Sequence, residues 1–212
     1  MSANHFVKRV LFQSELEIYK LADAAGLTPK LLSAEWDDTQ DRGTLVTERW
    51  PMTLGELTNF ELEMGRQAEA LLRALYPQVL DLLDRLHSLN ILHLDLHFHN
   101  FMVRPLGNSY ELALIDFEYS YQGPVPDIYN QIERWLLKME IDRELNKCFG
   151  DGPEDMEWLR ALLEDKATRA LDLETRPLSD GFTLWNIVDR MRERFSPTQR
   201  RYWAESSEES FT

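Results

Sequence analysis

Cysteine is almost missing from this 212-residue chain. Cys148 stands alone, so no internal disulfide can form and a reducing compartment is expected, with Cys148 as a small buried apolar side chain. Basic residues are also short: 23 Lys and Arg face 37 Asp and Glu, a net charge of −14. That balance argues against nucleic acid and anionic membranes as partners, because both are held by Lys and Arg. No apolar run approaches the roughly 20 residues of a membrane span. Residues 1–4 lead straight into mixed polar and apolar sequence, with no secretory leader, so a soluble, cytoplasmic protein is expected. Glycine is absent before Gly26. Backbone amides crowd a phosphate only where glycine lets them, so no such loop is expected ahead of that point. No internal repeat is present.

What remains suits a folded protein. Hydrophobic residues make up 43% and aromatics 11%, enough for one sizeable core or two small lobes sharing a cleft. Phe6 to Phe12 alternates around Lys8 and reads as a strand. A helix is expected over Glu15 to Ala25, capped by Ser14 with Glu17 as capping-box partner and ended by Gly26. Leu31 to Trp36 and Thr44 to Thr47 read as two more strands around an acidic turn, and a short helix follows near Leu54 to Leu57. Ala68 to Leu89 is the longest helical pattern, with leucines at three- and four-residue spacing and a bend expected near Ala74 from Pro77. Helices are also expected over Asp127 to Glu140, Glu154 to Leu173 and Leu184 to Phe195, before an acidic tail.

The chemistry concentrates between Ile91 and Tyr119. His93, Asp95 and Asn100 stand in the spacing H-x-D-x-x-x-x-N, and Asp116 follows in the triplet Asp116-Phe117-Glu118. Phosphoryl transfer needs a carboxylate to orient the attacking hydroxyl. It also needs an amide and a second carboxylate to hold magnesium against phosphates. Asp95, Asn100 and Asp116 supply those groups. Phe101 to Val103 and Glu111 to Ile115 read as a hairpin turning at Pro105 to Ser109, which would return Asn100 and Asp116 to one end.

HLDLHFHN followed by LALIDFEYS resembles the catalytic and metal-binding loops of protein-kinase-like phosphotransferases. Glu118 stands where protein kinases carry glycine, and IDFEYS is similar to the stretch found in choline and ethanolamine kinases. Asp127-Ile128-Tyr129-Asn130 and Trp135 also resemble that family's pattern, and ELEIYKLADAAGLTPKLL is similar to a helix of aminoglycoside and choline kinases. The resemblance implies an α+β, minimal bilobal kinase-like fold: a reduced amino-terminal lobe over 1–50, a helical lobe over 51–203 and a tail over 204–212. It implies ATP and Mg2+ as cofactors. Lys8 would neutralise the phosphates and pair with Glu15, or with Glu17. The backbone of Glu48 to Trp50 would face the adenine, Asn100, Asp116 and Glu118 would hold metal, and Asp95 would be catalytic. His93, grouped with Asp95, would orient the loop through the backbone. Asp127 would hold the loop structure, and His97 and His99 would face solvent. The family's two strands and glycine-rich loop before the lysine have no counterpart here.

Two other readings bear on the same residues. A two-histidine, one-carboxylate iron site at His93 and Asp95 would leave Asn100 and Asp116 without a role. A pseudokinase, a binding module that keeps the bilobal shape and engages a protein partner, is the alternative to an enzyme acting on a protein or small-molecule hydroxyl. Trp158, Trp185, Tyr202 and Trp203 read as core residues, or as the lining of a cationic-ligand pocket.

Overall fold

A three-stranded antiparallel sheet opens the fold. β1 (His5–Val10), β2 (Leu31–Asp37) and β3 (Arg42–Glu48) lie in the order β1-β3-β2, with Lys8 opposite Leu45. The computed structural model describes residues 4–63, 68–107, 109–146, 189, 191–193 and 195. Helix α1 (Gln13–Ala24) packs against this sheet through Leu16, Ile18, Tyr19 and Ala22. It ends as expected at Gly26, whose φ of +68° suits glycine. Gly26 N–H donates to Asp23 O at 2.8 Å and Leu27 N–H to Ala22 O at 2.9 Å, the paired bonds of a Schellman cap. The start differs from the expected capping box. Phe12 holds the cap position in an extended conformation with no side-chain cap, and Ser14 lies inside the first turn. The helix begins two residues earlier than expected, so Ser14 is its second residue and its hydroxyl is not at the cap.

Past the hinge, β4 (Met52–Thr53) leads into α2 (Leu54–Glu63), longer than the sequence suggested, and then α3 (Ala68–Ser88). The leucine stripe of α3 is core: Leu72, Leu75, Val79, Leu82, Leu83 and Leu86 are buried. Each such side chain stabilises by about 1.5–3 kcal/mol through burial. Pro77 lies on the exposed side, and the helix continues on both sides of it.

Two short elements then bracket the functional loops. β5 (Ile91–Leu92) pairs with β8 (Tyr121–Gln122), so the chain enters one loop and leaves the other at neighbouring points. Between them runs the hairpin β6 (Phe101–Leu106) and β7 (Ser109–Leu114), with β4 on its outer edge. Phe101 lies opposite Leu114, and Ile115 N–H donates to Asn100 O at 3.0 Å. That register places Asn100 and Asp116 at the same end of the hairpin. Helix α4 (Asp127–Asn146) follows and builds a second core with Leu92, Leu94, Tyr129, Ile132, Trp135 and Met191. Cys148, the helix expected over 154–173, Trp158, Trp185, Tyr202, Trp203 and the tail lie outside the described residues.

Candidate active site

Asp95 sits on a loop whose backbone is strained and held from several sides. Leu94 before it has φ 61°, a left-handed conformation that costs a side-chain-bearing residue about 1–2 kcal/mol. Side chains take both polar groups of Leu94. Its N–H donates to Glu133 Oε1 at 2.6 Å, and its carbonyl accepts from Arg192 Nε at 2.7 Å. Glu133 is buried on α4, and its other oxygen meets His87 Nε2 of α3 at 2.6 Å. The loop-holding role expected of Asp127 thus falls to Glu133; Asp127 is exposed and accepts from Gln131 Nε2 at 2.7 Å. Glu133→Ala should cost about 2–5 kcal/mol, because it orphans a buried N–H and a buried imidazole together. Glu133→Gln, which keeps one carbonyl oxygen, should cost less. Urea unfolding of both variants checks this, and unchanged stability in Glu133→Ala would contradict it.

The Asp95 carboxylate is surrounded by donors. Asn100 Nδ2 donates to its Oδ2 at 2.9 Å and to its backbone carbonyl at 2.8 Å. His97 Nε2 lies 3.4 Å from Oδ2, and Arg192 Nη2 donates to Oδ1. Burial alone would raise this carboxyl, but His97 and the Arg192 charge outweigh it and hold the pKa at about 2. His97 is therefore part of the site and not merely a solvent-facing loop residue. Its signal was present in the sequence, two positions from Asp95 in the same short loop. His99 is exposed beside Thr53.

His93 is fully enclosed, and its Nε2 donates to Ile115 O at 3.0 Å. Burial lowers its pKa and keeps the ring neutral. The fully buried ring thus joins the Asp95 loop to the backbone just before Asp116. Phe117 packs between it and α1, with ring centroids 5.1 Å from His93 and 5.8 Å from Tyr19. One buried aromatic thereby ties the metal-loop triplet to both the helix and the Asp95 loop.

Lys8 reaches across from the first sheet. Its Nζ meets Glu15 Oε1 at 2.6 Å and Asp116 Oδ1 at 2.7 Å. Glu17 instead pairs with Lys20 on the surface. Burial would pull the Lys8 ammonium down, but the Glu15 and Asp116 carboxylates more than offset it and hold it above the usual lysine value. Burial pushes Glu15 up against the opposing pull of Lys8. Asp116 has φ 65°. Burial also raises Glu118; Lys8 opposes this, while the Asp116 and Asp95 charges add to it. Among the described residues, no three His, Cys, Asp or Glu side chains form a metal cluster. Asn100 spends its amide protons on Asp95, which leaves Oδ1 as its donor atom for a cation. That oxygen and the Asp116 and Glu118 carboxylates are the hard oxygen donors that a dication would use here.

The hinge differs from expectation. Glu48 N–H donates to Lys30 O at 2.8 Å and Arg49 N–H to Asn4 O at 3.2 Å, so strand pairing has already taken both amides. The Glu48 carboxylate binds Arg104 Nη1 at 3.1 Å; Arg104 Nε meets Glu111 at 2.6 Å, and its guanidinium lies 4.4 Å over the buried Trp50 ring. Two of the backbone amides in the 48–50 stretch are therefore committed to neighbouring strands.

The model of the lipopolysaccharide kinase (Kdo/WaaP) family matches residues 12–126, more than half of the chain. The chain belongs to the Kdo/WaaP family. It is accordingly a kinase-like phosphotransferase, and the matched span holds Glu15, Asp95, Asn100 and Asp116 but begins after Lys8. Among solved structures, the chain is similar to the kinase PK-1 of Cydia pomonella granulovirus (17% identity, TM-score 0.52), covering 89% of this chain and 78% of that one. It is also similar to WaaP in complex with acyl carrier protein (18% identity, TM-score 0.49), covering 90% and 79%. The PK-1 likeness shows the kinase-like fold, the α+β architecture expected from the motifs. No curated protein matches the chain. Among the described residues, no helix is long and apolar enough to cross a membrane.

Two residues that hold this site were not read from the Kdo/WaaP member's own sequence. Glu133 carried one faint signal, a carboxylate on the buried face of a helix, one residue after Ile132 and four after Tyr129. Arg192 carried none; it lies 97 residues from its partner Asp95.

Proposed function

We propose that the chain is an ATP- and magnesium-dependent phosphotransferase whose acceptor is a hydroxyl on a saccharide or other small molecule. The saccharide class comes from the family's name, and a protein hydroxyl is the remaining acceptor class. The observation that carries the reading is the convergence of Lys8, Asp116 and the Asp95–Asn100 loop from three separate segments of the chain. Lys8, held by Glu15, would neutralise phosphate charge, and Asn100 Oδ1 and Asp116 would hold magnesium, with Glu118 beside them. Bound magnesium would supply charge neutralisation on the transferring group. Asp95 would accept a hydrogen bond from the acceptor hydroxyl and aim its oxygen. With a pKa of about 2, this carboxylate is an orienting group more than a proton store. The Trp50 backbone would meet the adenine.

The ion pair between Lys8 and Asp116 favours a second reading, a pseudokinase. There, the phosphate lysine and the metal carboxylate would neutralise each other and the fold would serve a protein partner. A thermal-shift titration separates the two. At a hundredfold excess over Kd, ATP with magnesium should raise Tm by roughly 5–10 °C. ATP without magnesium should do much less. A metal-independent response, or none, would favour the pseudokinase.

A further inference from the structure

Arg192 has no part in the site as the motifs describe it, and the family match ends 66 positions before it. Its side chain is only 11% exposed. A guanidinium so nearly enclosed is costly unless its donors are used, and here they are. Nε donates to the carbonyl of the strained Leu94 at 2.7 Å, Nη2 donates to Asp95 Oδ1, and the plane lies 4.3 Å over the Tyr119 ring. Leu94 and Asp95 belong to the catalytic loop, and Tyr119 directly follows the Asp116-Phe117-Glu118 triplet. One planar group therefore spans both functional loops. The residue is itself anchored. Met191 beside it is buried against Leu92 and Leu94, and Phe195 packs on Tyr121 and Tyr129 with ring centroids 5.2 and 4.7 Å away.

We propose that Arg192 is a positioning residue for phosphoryl transfer: it sets the plane of the Asp95 carboxylate and ties the catalytic loop to the metal loop through Tyr119. The fork geometry of arginine matters, because two donors set apart at a fixed angle reach the Leu94 carbonyl and the Asp95 oxygen together. Asn100 and His97 hold the other carboxylate oxygen, so Arg192 supplies the second point that stops the group from rotating. A lysine can satisfy one of these acceptors but not both.

The proposal rests on the phosphotransferase reading, and the test separates their failures. Arg192→Met, Arg192→Lys, Asp95→Asn and the Met/Asn double variant are compared with wild type in magnesium–ATP turnover, read as ADP release with water as acceptor. Thermal unfolding is recorded on the same proteins. Arg192→Met should lower kcat at least about tenfold, while the KM for magnesium–ATP moves less than about twofold. Arg192→Lys should recover part of the loss. In the Asp95→Asn background, Arg192→Met should lower turnover no further, and the two changes should lower Tm by less than their sum. The proposal is overturned if Arg192→Met leaves kcat unchanged, raises it as release of a latch would, raises KM alone, or multiplies with Asp95→Asn. Turnover in wild type without coupling in unfolding defeats the positioning role and spares the phosphotransferase. No turnover in wild type defeats both, even where unfolding still couples the pair.

Discussion

Asp116→Asn should abolish magnesium-dependent ADP release while leaving the protein folded. The substitution is nearly isosteric, but it removes the anionic oxygen that a hard cation prefers over an amide. The backbone gives a second reason to expect a clean result. Asp116 has φ 65°, and asparagine is among the side chains that tolerate that left-handed region best. The loop therefore has no steric reason to rearrange, and Tm should stay within a few degrees of wild type. One local change is expected: Lys8 loses the partner at 2.7 Å and keeps Glu15 at 2.6 Å, so the lysine stays in the cleft. Titration of magnesium–ATP by calorimetry or thermal shift should show the metal-dependent part of binding gone. Retained turnover would remove Asp116 from the metal site.

Asp95→Asn should slow transfer by about two to four orders of magnitude and spare nucleotide binding. The asparagine can accept one hydrogen bond, but it cannot accept on both oxygens, nor offset the Arg192 charge. Asp95 is bonded to Asn100, whose Oδ1 should keep its place, so KM for ATP should move little. The acid behaviour of wild type follows from the same contacts. A carboxyl whose pKa is depressed to about 2 is already ionised well below neutrality, and its contribution is lost only as pH falls toward that value. A pH–rate profile should therefore show no acid limb from Asp95 above about pH 4. A limb near pH 5–6 that disappears in Asp95→Asn would show that this carboxylate is less tightly held than its partners imply. A pronounced fall in ATP affinity would place Asp95 on the nucleotide side.

The local parts of this site were legible because short spacing constrains them. Asn100 and Asp116 are separated by one hairpin, and a hairpin of that length has few ways to close, so bringing its two ends together was nearly forced. Lys8 and its glutamate partner were legible only through the family resemblance, which left Glu15 and Glu17 open; the structure pairs Lys8 with Glu15 and Glu17 with Lys20. The hinge was not legible. Whether the amides of Glu48 and Arg49 face a ligand depends on pairing with Lys30 and Asn4, and side-chain patterns say nothing about which backbone donors a sheet has used. The capping box at Ser14 failed because the helix starts only two residues after the strand ends, which local chemistry cannot report.

Glu133 and Arg192 show the limit at longer range. Each serves the Asp95 loop from 39 and 97 residues away, respectively, and neither belongs to a motif. Their placement follows from packing of α4 and of Met191 and Phe195 into the second core. A reading of spacing finds the groups proposed to meet phosphate and metal. It does not find the groups that hold those groups still. The same limit explains the branch: Asp116-Phe117-Glu118-Tyr119 is similar to choline kinases, whereas the match that spans more than half of the chain is to the Kdo/WaaP family.

Phosphorus NMR of ATP incubated with wild type, Asp116→Asn and Asp95→Asn, each with and without magnesium, tests phosphotransfer most directly. Conversion to ADP should proceed in wild type only when magnesium is present. It should be absent in Asp116→Asn, and slowed about a hundredfold or more in Asp95→Asn. Equal background conversion in all six samples, together with no magnesium-dependent shift of the nucleotide resonances, would contradict the account and leave a kinase-shaped binding protein.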